Sequence, residues 1–242
     1  MLYQRFLFFS FLAANLIAAG SDPPEKLLVI GFVGGRVAHT NAIHQEVQFA
    51  AHLREKYPAG LDAEIFENHS GPLAVEAIRR SLDADHDGAL SAGEKQKARI
   101  VLYGHSWGAS EAVTTARALQ KDGIPVLLTI QVDSVSKHGE DDRLIPSNVA
   151  EAINLYQLNG FLHGREKIFA ADPLRTRILG NFLFEYKSKT ANCSAYPWFA
   201  RMFMRPHIEM ESDPVVWARV ETLIRSKLNQ EKTSVSVLDL PR

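Results

Sequence analysis

This sequence predicts an α/β fold: a mostly parallel sheet with helices on both faces, in a single domain. Three observations predict it. Short apolar runs alternate with stretches of helical spacing, which is the pattern of βαβ units. Gly31, Ser106 and Asp133 each fall at the carboxyl end of one of those apolar runs, where ligands bind in parallel sheets. The chain has 242 residues, 46% hydrophobic and 23% charged, enough apolar mass for one soluble domain with a sizeable core.

The elements follow in order. Leu27-Leu28-Val29-Ile30 is a fully apolar strand that ends in Gly31-Phe32-Val33-Gly34-Gly35, a loop rich in permissive backbone. Residues 42–57 carry Ile43, Val47, Ala50, Ala51 and Leu53 at helical spacing, and Pro58-Ala59-Gly60 stops the helix. Residues 63–66 read as a strand and 73–82 as a helix. Ile100-Val101-Leu102-Tyr103 is the next strand, followed by a helix over 109–119 and the turn Asp122-Gly123-Ile124-Pro125. Residues 126–132 form another apolar strand, ending at Asp133. Residues 148–157 are expected to be helical, and 167–170 and 178–184 to be strands. Asp213 caps a final helix, with Pro214 in its first turn and Val216, Val220, Leu223, Ile224 and Leu228 as its apolar face. The domain is expected to span 25–229, with 230–242 as a loose tail.

Residues 1–20 read as a signal peptide. Arg5 is the lone charge, residues 6–19 are almost wholly apolar, and Ala18-Ala19-Gly20 offers small residues to a peptidase. The segment is short for a membrane span, so membrane contact is expected only if it stays uncleaved. The mature protein is then secreted or periplasmic. A net charge of -1 gives no bulk basic surface for nucleic acid. The single cysteine, Cys193, excludes an internal disulfide and a cysteine-cluster metal site. Oligomeric state leaves no mark on the sequence.

Gly104-His105-Ser106-Trp107-Gly108 lies between a strand and a helix. A turn that tight holds the serine in strained backbone, demands tiny residues two before and two after it, and lifts the hydroxyl clear of the sheet. Through Tyr103-Gly104-His105-Ser106-Trp107-Gly108 the chain resembles the α/β-hydrolase family, over most of its length after the N-terminus. The resemblance implies Ser106 as nucleophile and a later acid and histidine as its partners. His207, in Arg205-Pro206-His207 shortly before the last helix, matches the position of the family's base; His138 and His163 are the other histidines after the elbow. Asp133 is the first candidate acid and Asp172 the competitor. The oxyanion hole would use the backbone amide of Trp107 and that of Phe32 or Val33. His39, His44 and His52 are not expected to form a metal site, because two of them sit on a helix at an unhelpful spacing.

Residues 83–94 match an EF-hand calcium loop. Asp83, Asp85 and Asp87 fill positions 1, 3 and 5, and Gly88 the sharp turn at 6. Ala89 offers its carbonyl at position 7, Ser91 serves position 9, and Glu94 is the bidentate ligand at position 12. The loop precedes the elbow strand, at the end of the sheet away from Ser106, so a bound calcium is expected to be structural. Together these features predict an exported serine hydrolase acting on a small-molecule or lipid ester or thioester. A non-catalytic calcium-binding module on the same scaffold, and an acyltransferase using the same triad, are the alternatives. Trp198, Phe199, Met202 and Phe203 are candidates for an apolar acyl pocket.

Overall fold

A computed structural model of the chain describes residues 26–137, 139–187 and 193–238. The proposed signal segment and His138 therefore lie outside the described residues. Six strands form one sheet: β1 (Leu27–Val33), β2 (Leu61–Glu67), β3 (Ile100–His105), β4 (Val126–Val132), β6 (Val149–Tyr156) and β8 (Arg177–Leu183). They lie in the order β2-β1-β3-β4-β6-β8, and every pairing is parallel. β5 (Leu144–Ile145) and β7 (Phe169–Ala170) make a separate two-stranded ribbon.

Side chains alternate along each strand, so each face gathers its own core. On one face, Leu28, Ile30, Ile100 and Leu102 meet Ala74 and Ile78 of α2 (Gly71–Leu82) and Val113, Ala116 and Leu119 of α4 (Trp107–Lys121). On the other, Leu27, Val29, Val101, Tyr103 and Ile130 meet Phe49 and Leu53 of α1 (Gln45–Lys56) and Val216, Trp217, Val220 and Ile224 of α7 (Pro214–Leu238). α3 (Ala92–Gln96) is a short turn of helix ahead of β3. This is an α/β architecture: a parallel sheet with helices on both faces, in one domain.

Three expectations need correction. Residues 148–157 are not a helix: Val149–Tyr156 is a strand, in parallel register with β4 from Val126↔Val149 to Val132↔Leu155. Val149, Ala152, Ile153 and Tyr156 have the i, i+3, i+4, i+7 spacing of a helix, but the slot beside β4 buries the segment on both faces. The strand expected over 167–170 shortens to Phe169–Ala170. α7 runs to Leu238, past the expected boundary at 229. Among the described residues, no helix is long and apolar enough to cross a membrane.

From β1 the chain moves outward to β2, then returns to β3 on the other side of β1. The order reverses between β1 and β3. Ligands bind at the carboxyl end of such a switch point, and here Gly34 packs against Ser106 at that end: a Cβ on Gly34 would sit 3.0 Å from Ser106 Cβ.

Candidate active site

Ser106 has φ 57° and ψ −126°, a strained conformation for a residue with a Cβ. It is kept there by packing that only glycine allows. A Cβ on Gly104 would sit 2.3 Å from the carbonyl carbon of Gly108, and one on Gly108 would sit 2.1 Å from the carbonyl oxygen of Phe32. β3, the elbow and α4 can thus press against the end of β1. The Ser106 amide donates to the carbonyl of Val132 at 3.0 Å, tying the elbow to the end of β4.

The next residue after β4, Asp133, also has positive φ (44°) and is fully buried. Its carboxylate is surrounded by donors. Oδ1 accepts from the amides of Gly164 (2.6 Å) and Gln157 (3.2 Å), and Oδ2 from Gln157 Nε2 (2.8 Å). His207 Nδ1 lies 2.7 Å from Oδ2. Burial alone would raise the Asp133 pKa, yet the His207 bond and charge, with Gln157, hold it below the usual carboxylate range. Asp133 is therefore ionised, and Nδ1 is the protonated nitrogen of His207. Nε2 is left to take a proton.

His207 was expected in a loop. It lies instead on α6 (Arg205–Glu211), where Pro206 occupies the first turn. Its ring is 4.3 Å from that of His105, the residue before Ser106, measured between centroids. Burial, then the charge on His105, lowers the His207 pKa from its ordinary value, with Asp133 opposing. Asp172 is not part of this grouping: its Oδ1 accepts from the Leu174 amide in the turn after β7. His163 is exposed, with Nδ1 3.1 Å from the Gly164 carbonyl.

Trp107 is the first residue of α4, so its amide is one of the helix N–H groups with no partner inside the helix. Of the two amides considered on β1, Phe32 is inside the ladder, in register with Phe66 and Gly104, whereas Val33 closes the strand. The Gly34 amide is already committed to Glu46 Oε1 at 3.1 Å. Beside Trp107 lies a cleft of about 800 Å³, lined in part by Arg36, Val37, Asn68, Ser136 and Lys137. Among the described residues, the aromatic segment does not line it; the side chain of Phe199 lies outside the described residues. Trp198, Met202 and Phe203 on α5 (Trp198–Phe203) are 64%, 63% and 58% exposed, so they are not packed into the core.

At the opposite end of β3, the 83–94 segment folds around its own carboxylates. Asp83 accepts from the amides of Asp87 (3.2 Å) and Gly88 (3.0 Å), and Glu94 from those of Ala84 (2.7 Å) and Ser91 (2.8 Å). Gly88 takes φ 85°, the turn for which a glycine was expected. Carboxylate oxygens of Asp83, Asp85 and Glu94 lie within 4.8 Å of one another. Asp87 is outside that group and accepts from the Ala89 amide at 2.7 Å. Glu94 and Ser91 form a reciprocal capping box at the start of α3. The converging all-oxygen set fits a hard divalent cation.

No family model matches this chain, and no curated protein matches it. Solved structures similar to it include an acetyl xylan esterase, at 11% identity over 86% of this chain and 100% of that one, with a TM-score of 0.38. Another is a dienelactone hydrolase-like promiscuous phosphotriesterase from metagenomic libraries, at 14% identity over 88% of this chain and 89% of that one, TM-score 0.37. A third is RedJ, at 11% identity over 80% of this chain and 95% of that one, TM-score 0.33.

Proposed function

We propose that the protein is an exported serine hydrolase that cleaves a carboxylic ester or thioester through Ser106, His207 and Asp133. The observation that carries this reading is the buried 2.7 Å contact between His207 Nδ1 and Asp133 Oδ2, with the His207 ring 4.3 Å from that of His105, the residue before a serine held at positive φ. Asp133 fixes the tautomer, so Nε2 can accept the Ser106 proton as Oγ attacks the acyl carbon. The proton then passes to the departing alkoxide or thiolate, leaving an acyl-Ser106 ester. Water, deprotonated by the same nitrogen, releases the carboxylic acid and restores Ser106. The amide of Trp107 and one from the Phe32–Val33 segment would face the oxyanion, stabilising charge that develops only in the transition state. Export rests on the composition of residues 1–20.

A base with a lowered pKa stays unprotonated into more acidic solution. Hydrolysis of a panel of aryl acyl esters should therefore proceed with an acid limb of kcat/KM below the ordinary imidazole value of 6.5. Absence of hydrolysis across the panel, or a limb above that value, would count against the assignment of His207.

The 83–94 loop would hold a structural calcium through Asp83, Asp85, Asp87, the Ala89 carbonyl, Ser91 and Glu94. β3 has six residues, which at about 3.3 Å each puts roughly 20 Å between that loop and Ser106. The ion's part would be to pin the connection between α2 and β3. For a modest site with Kd of about 0.1–1 mM, calcium at about 5 mM stabilises by about 1–2 kcal/mol, or roughly 2–8 °C in Tm. Glu94→Gln should remove most of that shift. An equal shift in wild type and variant, read by differential scanning fluorimetry, would refute the site.

A further inference from the structure

A second group of ionisable side chains lies behind the elbow, and the hydrolytic chemistry does not use it. His44 immediately precedes α1, Glu46 is in its first turn, His105 ends β3 and Glu211 ends α6. The side chains of Glu46, His105 and Glu211 are 0%, 2% and 4% exposed, and that of His44 is 13%. His105 Nδ1 faces both carboxylates, 3.6 Å from Glu46 Oε1 and 3.7 Å from Glu211 Oε2. His44 Nδ1 is 2.7 Å from Glu211 Oε1. One ligand atom each from His44, Glu46 and Glu211 falls within 4.8 Å of the others.

We propose that His44, Glu46, His105 and Glu211 form a buried centre for a zinc-class divalent ion, held by two imidazoles and two carboxylates. Two separations from His105 are longer than hydrogen bonds. They are close to the edge of a tetrahedron whose metal–ligand bonds are about 2.0–2.2 Å, which is about 3.3–3.6 Å. Among the described residues, Glu46 Oε2 is buried without a hydrogen-bond partner. A carboxylate oxygen in that position is costly unless something positive reaches it. A divalent ion would displace the protons from the two imidazoles, His105 included, and take their place in compensating both buried carboxylates. Mixed nitrogen and oxygen donors suit zinc and its neighbours, whereas the all-oxygen loop at 83–94 suits calcium. His44, the most exposed of the four, supplies the entry side, and the Tyr196 ring packs edge-on against it at 5.7 Å.

The position gives the ion a job. Glu46 also accepts the Gly34 amide beyond β1, His105 adjoins Ser106, and Glu211 stands one helical turn after His207. One ion would tie together the loop, the elbow and the helix that carry the proposed catalytic groups, and it would do so whether or not Ser106 is a nucleophile.

The test is metal uptake by the full chain. Protein stripped with a chelator, kept in excess calcium to occupy the loop, is given cobalt(II) and then zinc(II). The proposal predicts one cobalt per chain by elemental analysis, visible bands of a four-coordinate ion, and their loss when zinc displaces it. His44→Ala, which deletes the most exposed ligand, should weaken binding by more than the roughly 10–100-fold that loss of an outer-shell partner costs. Glu211→Gln should do the same. A folded wild type that takes up neither metal overturns the proposal and leaves an ionic quartet balanced by protons alone. Uptake that persists undiminished in both variants overturns it as well, by placing the metal elsewhere.

Discussion

Asp133→Asn is expected to lower kcat by about 10⁴-fold. The carboxylate is a pure acceptor for His207 Nδ1, for Gln157 Nε2 and for the amides of Gly164 and Gln157. An asparagine of the same volume can keep the two backbone amides on its carbonyl oxygen. Its NH₂ group then points at His207 and at Gln157 Nε2, which is itself a donor. His207 must turn its lone pair toward Asn and carry its proton on Nε2, where it can no longer accept one from Ser106. The misplaced donors also cost about 1–3 kcal/mol of stability, which leaves the chain folded. Single-turnover hydrolysis with a thermal melt alongside separates the two effects. A folded variant within about tenfold of wild-type kcat would show that Asp133 does not orient the base.

Gly108→Ala should be the most damaging small substitution for the fold. The added Cβ would lie 2.1 Å from the Phe32 carbonyl oxygen, 2.7 Å from its carbon and 2.9 Å from the Val33 oxygen. All three are backbone atoms of β1, so no rotamer change relieves the clash. Overpacking of this kind costs about 3 kcal/mol or more, and in a domain of this size that lowers Tm by about 6–12 °C. Gly60→Ala is the control: its Cβ would meet only Leu228 Cδ2 at 3.4 Å, an ordinary contact, and Tm should scarcely move. Equal melting temperatures for the two variants would contradict the close approach of α4 to β1.

What the sequence reveals of this fold depends on whether neighbours in the chain suffice to decide it. β1, β3 and β4 are continuous apolar runs bounded by turn residues, and a strand buried on both faces reads that way without further context. β6 does not: its apolar residues satisfy a helix as well as a strand, and only the unpaired edge of β4 decides. At the candidate site, Ser106, Asp133 and His207 are legible because the elbow fixes one and strand ends and chain order select the others. That His207 rides on a helix is not legible, because Arg205-Pro206 gives the same signal before a loop as before a helix. The His44–Glu211 pair joins residues 167 positions apart. His105 reads only as the variable residue of the elbow motif, and no local spacing connects it to Glu46. The exposure of Trp198, Met202 and Phe203 is likewise a property of where α5 docks, which composition cannot supply.

The central claim is that Ser106 is activated by the His207–Asp133 pair. The most direct measurement is labelling by a fluorophosphonate probe in the presence of calcium, with the modified residue located by mass spectrometry. The account predicts a single adduct on Ser106 in wild type, none in Ser106→Ala, and slow labelling in Asp133→Asn. A folded, calcium-supplied wild type that stays unlabelled, or an adduct that survives Ser106→Ala, would contradict it.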